Sequence, residues 1–134
     1  MADLGTGAGF PGLVIEIFNK NKAFHVKLYE KSPVKRRFLT GVIKELSLNA
    51  EVLGAVRDEV IDSEIIICRA FKKLDQIIQV SREIAQKPHK LMILKGQNAQ
   101  EEIKRSFKTE KYPYKLESSM TYKDSKIILM EINN

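Results

Sequence analysis

The 134 residues include one cysteine, two histidines and no tryptophan, and these scarcities already remove several kinds of protein. A lone thiol, Cys68, cannot close an intramolecular disulfide or build a cysteine-based zinc cluster, which fits a reducing compartment. His25 and His89 lie far apart in the chain, so a metal enzyme is not expected. No apolar run approaches the ~20 residues of a membrane-spanning helix. Met1-Ala2-Asp3-Leu4-Gly5 has neither the basic nor the apolar region of a signal peptide. With 43% hydrophobic side chains there is enough apolar material for one core and too little chain for two. The expectation is a single soluble, cytoplasmic domain with no membrane and no metal partner.

Basic residues outnumber acidic ones by 23 to 17, and they are unevenly spread. Residues 20–44 hold Lys20, Lys22, Lys27, Lys31, Lys35, Arg36, Arg37 and Lys44 against Glu30 alone, whereas residues 45–66 are mostly acidic. Such a stretch is either a solvated surface or a side that faces the phosphates of RNA or DNA, and charge does not choose between them.

Hydrophobic periodicity alternates short strand-like runs with helical stripes, the pattern of an α/β sheet with helices on its faces. His25–Tyr29 alternates as a strand. Ser32 caps a helix with Pro33 in its first turn, and Val34, Phe38, Leu39, Val42, Ile43 and Leu46 form one apolar face. Strands are expected at Glu51–Ala55, Ile65–Cys68 and Leu91–Leu94. Helical stripes follow at Phe71, Leu74, Ile77, Ile78 and Ile84, closed by Pro88, and over Asn98–Phe107. Tyr112–Met120 and Lys126–Ile132 read as a terminal hairpin.

The densest local signal is Asp3-Leu4-Gly5-Thr6-Gly7-Ala8-Gly9-Phe10-Pro11-Gly12, a strand-to-helix turn shaped around a ligand. Gly7-x-Gly9-x-x-Gly12 matches the dinucleotide fingerprint, with Glu30 near the distance expected of a ribose-binding acid. The strand, however, runs directly into Gly5. That junction gives Gly5-x-Gly7-x-Gly9 with Asp3 two positions earlier, the arrangement used by S-adenosylmethionine-dependent methyltransferases. There the glycines let the loop press against the cofactor's amino-acid moiety, and Glu30 accepts both ribose hydroxyls. Cys68, inside an apolar strand, reads as a core residue, and both histidines as surface residues. The tyrosines Tyr29, Tyr112, Tyr114 and Tyr122 could stack on bases, but packing in strands or the hairpin is the simpler account.

The glycine motif, Lys35-Arg36-Arg37-Phe38-Leu39, Cys68-Arg69-Ala70-Phe71 and Leu94-Lys95-Gly96-Gln97, taken in order, resemble the bacterial small-subunit ribosomal RNA methyltransferase G family, also called glucose-inhibited division protein B. The resemblance implies a class I, Rossmann-like methyltransferase core, mostly parallel with a C-terminal antiparallel hairpin, that methylates N7 of a guanosine in 16S rRNA of the 30S subunit. It implies Asp3, Gly5, Gly7, Gly9, Phe10, Glu30, Val56, Arg57 and Arg69 at the S-adenosylmethionine site, with Phe10 near the sulfonium and Val56-Arg57 at the adenine. The family has an acidic residue where Arg57 stands, and Asp58 could substitute by a one-residue shift. Arg69 and Lys95 are the candidates for holding the reacting base, and Lys31, Lys35, Arg36 and Arg37 for the RNA backbone. Guanine N7 has a lone pair and no proton, so no catalytic histidine is required.

Full-length relatives are longer, chiefly by an N-terminal helical region. The further expectation is therefore a chain that begins within its first strand, monomeric if complete and prone to self-association if not. Alternatives are a non-catalytic RNA-binding remnant, a methyltransferase with another substrate, or a dinucleotide enzyme.

Overall fold

The computed structural model describes residues 1–56, 60–107 and 112–133. Seven strands and four helices alternate as β1 (Ala2–Leu4), α1 (Gly12–Phe18), β2 (Val26–Tyr29), α2 (Pro33–Leu46), β3 (Ala50–Leu53), β4 (Ile65–Arg69), α3 (Leu74–Ala85), β5 (His89–Lys95), α4 (Ala99–Ser106), β6 (Tyr114–Ser118) and β7 (Lys126–Ile132). They form one sheet in the order β3-β2-β1-β4-β5-β7-β6. β1 to β5 run parallel, and β7 lies antiparallel between β5 and β6. This is the sequence-predicted element order, with strand ends shifted by a few residues.

β1 is short yet central. Its three residues pair with Lys27–Tyr29 on one side and Ile66–Cys68 on the other. Met1 continues the pairing, since its ammonium donates to the His25 carbonyl at 2.8 Å and its carbonyl accepts from the Lys27 amide at 2.9 Å. From β1 the chain moves outward to β2 and β3, then crosses back to β4 on the other side. That reversal opens a crevice at the carboxyl ends of β1 and β4, where open α/β sheets bind ligands.

Alternation along the strands feeds two cores. On one face Ile66, Cys68, Leu91, Ile93, Ile128 and Met130 pack with Ile77, Ile78 and Ile84 of α3 and Ile103 of α4. On the other, Val26 and Leu28 meet Leu13 of α1 and Leu39 of α2. Each fully buried aliphatic side chain contributes roughly 1.5–3 kcal/mol of transfer free energy.

Two sequence expectations are corrected. Ser32 does cap α2, its hydroxyl accepting from the Lys35 amide at 3.5 Å, but the predicted apolar face is only partly used. Leu39 is buried and Val42 and Ile43 half-buried, while Val34, Phe38 and Leu46 are 69%, 56% and 51% exposed. The cause is position: α2 packs beside β3, an edge strand of the sheet, so a narrow stripe of the helix is covered. His89, expected at the surface, is buried at the start of β5, with Nδ1 2.8 Å from the Lys87 carbonyl oxygen. His25 is partly exposed and bridges Asn49 and Glu51.

Cys68 is fully buried in β4, and desolvation pushes its thiol up to about 12. The native protein should therefore leave a disulfide reagent unreacted near neutral pH and consume one equivalent only after denaturation. Rapid reaction of the folded chain would contradict this packing.

Candidate cofactor and substrate site

Two carboxylates, one within β1 and one just after the adjacent β2, hold the glycine loop. Asp3, fully buried on β1, accepts through Oδ2 from the Thr6 hydroxyl at 2.6 Å and the Gly12 amide at 2.8 Å. Glu30, after β2, accepts through Oε2 from the Gly7 amide at 3.0 Å and through Oε1 from the Ser32 amide at 2.9 Å. The loop between them turns through left-handed residues at Gly5, Gly7 and Gly9. Gly5 has a second constraint, because a Cβ there would lie 2.8 Å from the Phe71 ring. Gly12 is enclosed, with the positions of Leu28 Cδ2 and Asp3 Oδ2 only 2.5 and 2.6 Å from where a Cβ would stand.

Next to this loop lies a cavity of about 430 Å³ at the β1/β4 crevice. Gly5, Tyr29 and Glu30 line one side, and Gly54, Val56 and Phe71 are also in its wall. Each carboxylate oxygen carries more than one acceptor site, so Glu30 can hold the loop and still accept from two ligand hydroxyls. These residues fit a ribose-bearing cofactor. Arg57 and Asp58, expected near its adenine, lie outside the described residues.

A second cavity, about 380 Å³, adjoins the first through Ala70 and is lined by Arg69 and Lys95 among others. Arg69 is exposed, and its Cζ stands 5.9 Å from the centroid of the Phe10 ring. Among the described residues its guanidinium has no hydrogen-bond acceptor or carboxylate partner, so its donors are available to a ligand.

The other predicted residues divide by what they touch. Asp3 is sealed beneath the loop and shapes it instead of lining the cavity. Gly7, Gly9 and Phe10 belong to the loop but not to the cavity wall. Lys31 and Lys35 line the first cavity, and Arg37 is exposed. Arg36 has a structural task, donating from Nη1 to the carbonyls of Glu30 at 3.0 Å and Lys31 at 2.8 Å. The Lys95 ammonium is paired with Glu102 and spends two of its three donors within the fold. It donates to the Lys72 carbonyl at 2.8 Å and to Glu102 Oε1 at 3.0 Å. Glu102 Oε1 also accepts from the Leu74 amide at 2.7 Å, so this group fixes the segment carrying Phe71. Sequence reasoning missed Thr6, Phe71 and Glu102. Thr6 alone had a local signal, a hydroxyl three residues after Asp3 at the loop's start.

The family profile described as GidB, rRNA small subunit methyltransferase G, matches residues 1–128. The chain belongs to the rRNA small subunit methyltransferase G family. A family protein so named from Pelagibacter ubique is 33% identical over 93% of this chain and 61% of its own length. One from Rickettsia akari is 33% identical over 100% of this chain and 68% of its own, and one from Mesoplasma florum 37% over 92% and 52%. The chain thus spans between about half and two thirds of the length of these relatives. A SAM-dependent methyltransferase structure from Aquifex aeolicus superposes with a TM-score of 0.72 at 13% identity, covering 98% of this chain and 80% of that one. TYW2 from M. jannaschii, solved with AdoMet, gives 0.64 at 18%, covering 97% and 65%. This G-family chain therefore has the class I, Rossmann-like methyltransferase fold.

Burial raises the Asp3 carboxyl above its ordinary value, against the lowering effects of Thr6, Gly12 and the Arg69 charge, and Oδ1 has no hydrogen-bond partner. A carboxyl whose native value is raised stabilises the fold fully below its unfolded value, and that contribution is lost as pH rises through the native value. Wild-type stability relative to Asp3→Asn should thus fall as pH rises from about 4 and then level off. Urea denaturation of both proteins across pH measures this, and a pH-independent difference would contradict it.

Proposed function

We propose that this chain is the cofactor-binding and catalytic core of a methyltransferase that uses S-adenosylmethionine to modify N7 of a guanosine in 16S rRNA of the small ribosomal subunit. The observation that carries the reading is the pair of adjoining cavities, one walled by Gly5 of the glycine loop and Glu30, the other by Arg69, whose donors have no hydrogen-bond partner among the described residues. Family membership supplies the rRNA.

The dinucleotide reading is disfavoured by one hydrogen bond. A diphosphate needs the free amides at a helix N-terminus. Here the Gly12 amide, at the start of α1, is taken by Asp3, whose carboxylate would also repel a diphosphate.

When bound, S-adenosylmethionine supplies a methyl group made electrophilic by its sulfonium. Guanine N7 carries a lone pair and no proton, so the residues of this chain would have no proton to remove. Its residues have orienting tasks. Glu30 holds the ribose, the Gly5–Phe71 contact fixes the wall of the cofactor cavity, and Arg69 donates to O6 or a flanking phosphate of the base. Lys31, Lys35 and Arg37 add phosphate contacts, which makes binding salt-dependent.

The test is transfer of labelled methyl from S-adenosylmethionine to 30S subunits that lack the modification. Incorporation at guanosine N7 is expected, lowered roughly ten- to a hundredfold by Arg69→Ala, the range for losing one charged hydrogen bond. Binding of a nicotinamide dinucleotide in preference to S-adenosylmethionine would contradict the reading. Cofactor binding without transfer would reduce the chain to an RNA-binding remnant.

A further inference from the structure

The turn between β6 and β7 has no part in the fold's cores, yet it is built with care. The Ser119 amide donates to the Ser125 carbonyl at 2.9 Å, and the Ser125 amide to that of Tyr122 at 3.0 Å. Ser119 Oγ accepts from the amides of Thr121 at 3.3 Å and Tyr122 at 3.4 Å. These bonds fix a turn whose aromatic residue, Tyr122, is 73% exposed. Lys126, where β7 begins, donates to Ser118 Oγ at 2.9 Å and the Lys123 carbonyl at 3.4 Å. Among the described residues its charge has no carboxylate partner. Tyr122, Lys126 and the hydroxyls of Ser119 and Thr121 all line the cavity that contains Arg69 and adjoins the cofactor cavity at Ala70.

This combination is specific in what it can recognise. An exposed ring beside hydroxyls offers a stacking surface with polar edges, and two cations that form no salt bridge among the described residues favour an anion. A small apolar substrate would leave both charges idle, and a free anion would leave the ring idle. An unpaired purine nucleotide within RNA satisfies both, its base against the ring and its phosphate near a cation. We propose that the β6–β7 turn is the nucleotide seat of this enzyme, with Tyr122 stacking on the substrate base or its immediate neighbour and Lys126 holding the adjacent phosphate. This rests on the methyltransferase reading and deepens it, placing substrate choice in the hairpin and leaving cofactor binding to the glycine loop.

The test measures two affinities on the intact chain. Calorimetry follows S-adenosylmethionine, and fluorescence anisotropy follows a short guanosine-containing single-stranded RNA. Tyr122→Ala should weaken RNA binding about tenfold, the scale of one lost base–aromatic stack. Tyr122→Phe should restore it, because stacking needs the ring and not the hydroxyl. Lys126→Gln should weaken RNA binding and reduce its salt dependence by about one phosphate contact. All three should keep the wild-type cofactor affinity. RNA affinities unchanged in Tyr122→Ala and Lys126→Gln, with cofactor binding intact, would overturn the nucleotide seat alone. A wild-type chain that binds RNA through Tyr122 but not S-adenosylmethionine would overturn the methyltransferase reading and leave the seat standing.

Discussion

A single buried carboxylate oxygen, Asp3 Oδ2, ties together the parts of the site that lie farthest apart in the loop. By accepting from both Thr6 and Gly12 it closes the glycine loop on itself and docks the start of α1 against β1. The loop can then present Gly7 to Glu30, and Gly5 to Phe71, at fixed positions. The cost is a desolvated carboxyl with one oxygen unpartnered. Folding tolerates it because the alternative, a loop with its buried hydroxyl and amide unpaired, is costlier by about 1–3 kcal/mol for each group. The same hydrogen bond also removes the amide that a dinucleotide would need, so the constraint that shapes the loop also selects the class of cofactor.

Cations around the crevice are sorted by geometry, not by number. Arg36 and Lys95 hold backbone carbonyls on either side of the cofactor cavity. Lys95 does so together with Glu102, which links β5, α4 and the start of α3. Those two are braces. Arg69, Lys31 and Lys35 line the cavities without such partners among the described residues, and Lys126 has neutral partners only. The RNA substrate proposed above would meet the second group, while the first would keep the walls in place.

Much of this was legible in the sequence because it is local. The alternating runs and helical stripes place every strand and helix in order, and the four glycines between Asp3 and Leu13 mark the loop. The rest depends on neighbours that periodicity does not identify. Val34, Phe38 and Leu46 lie exposed because α2 serves an edge strand. His89 is buried because β5 begins two residues earlier than its apolar run, which puts His89 on the same face as Leu91 and Ile93. Lys95 and Arg36 lose their freedom to partners brought in by the fold: Glu102 on the next helix, Lys72 before α3 and the carbonyls after β2. Sequence showed where the basic residues fall; only the three-dimensional contacts separated the braces from the cations that line the cavities.

The account's central claim is that the buried Asp3 carboxylate forms the cofactor site without touching the cofactor. Calorimetric titration of S-adenosylmethionine into the wild-type protein and Asp3→Ala tests it most directly, with circular dichroism confirming that the variant is folded. The claim predicts binding by the wild type and at least a tenfold weaker affinity in the folded variant, the equivalent of about 1.4 kcal/mol. Undiminished affinity in a folded Asp3→Ala protein would contradict it.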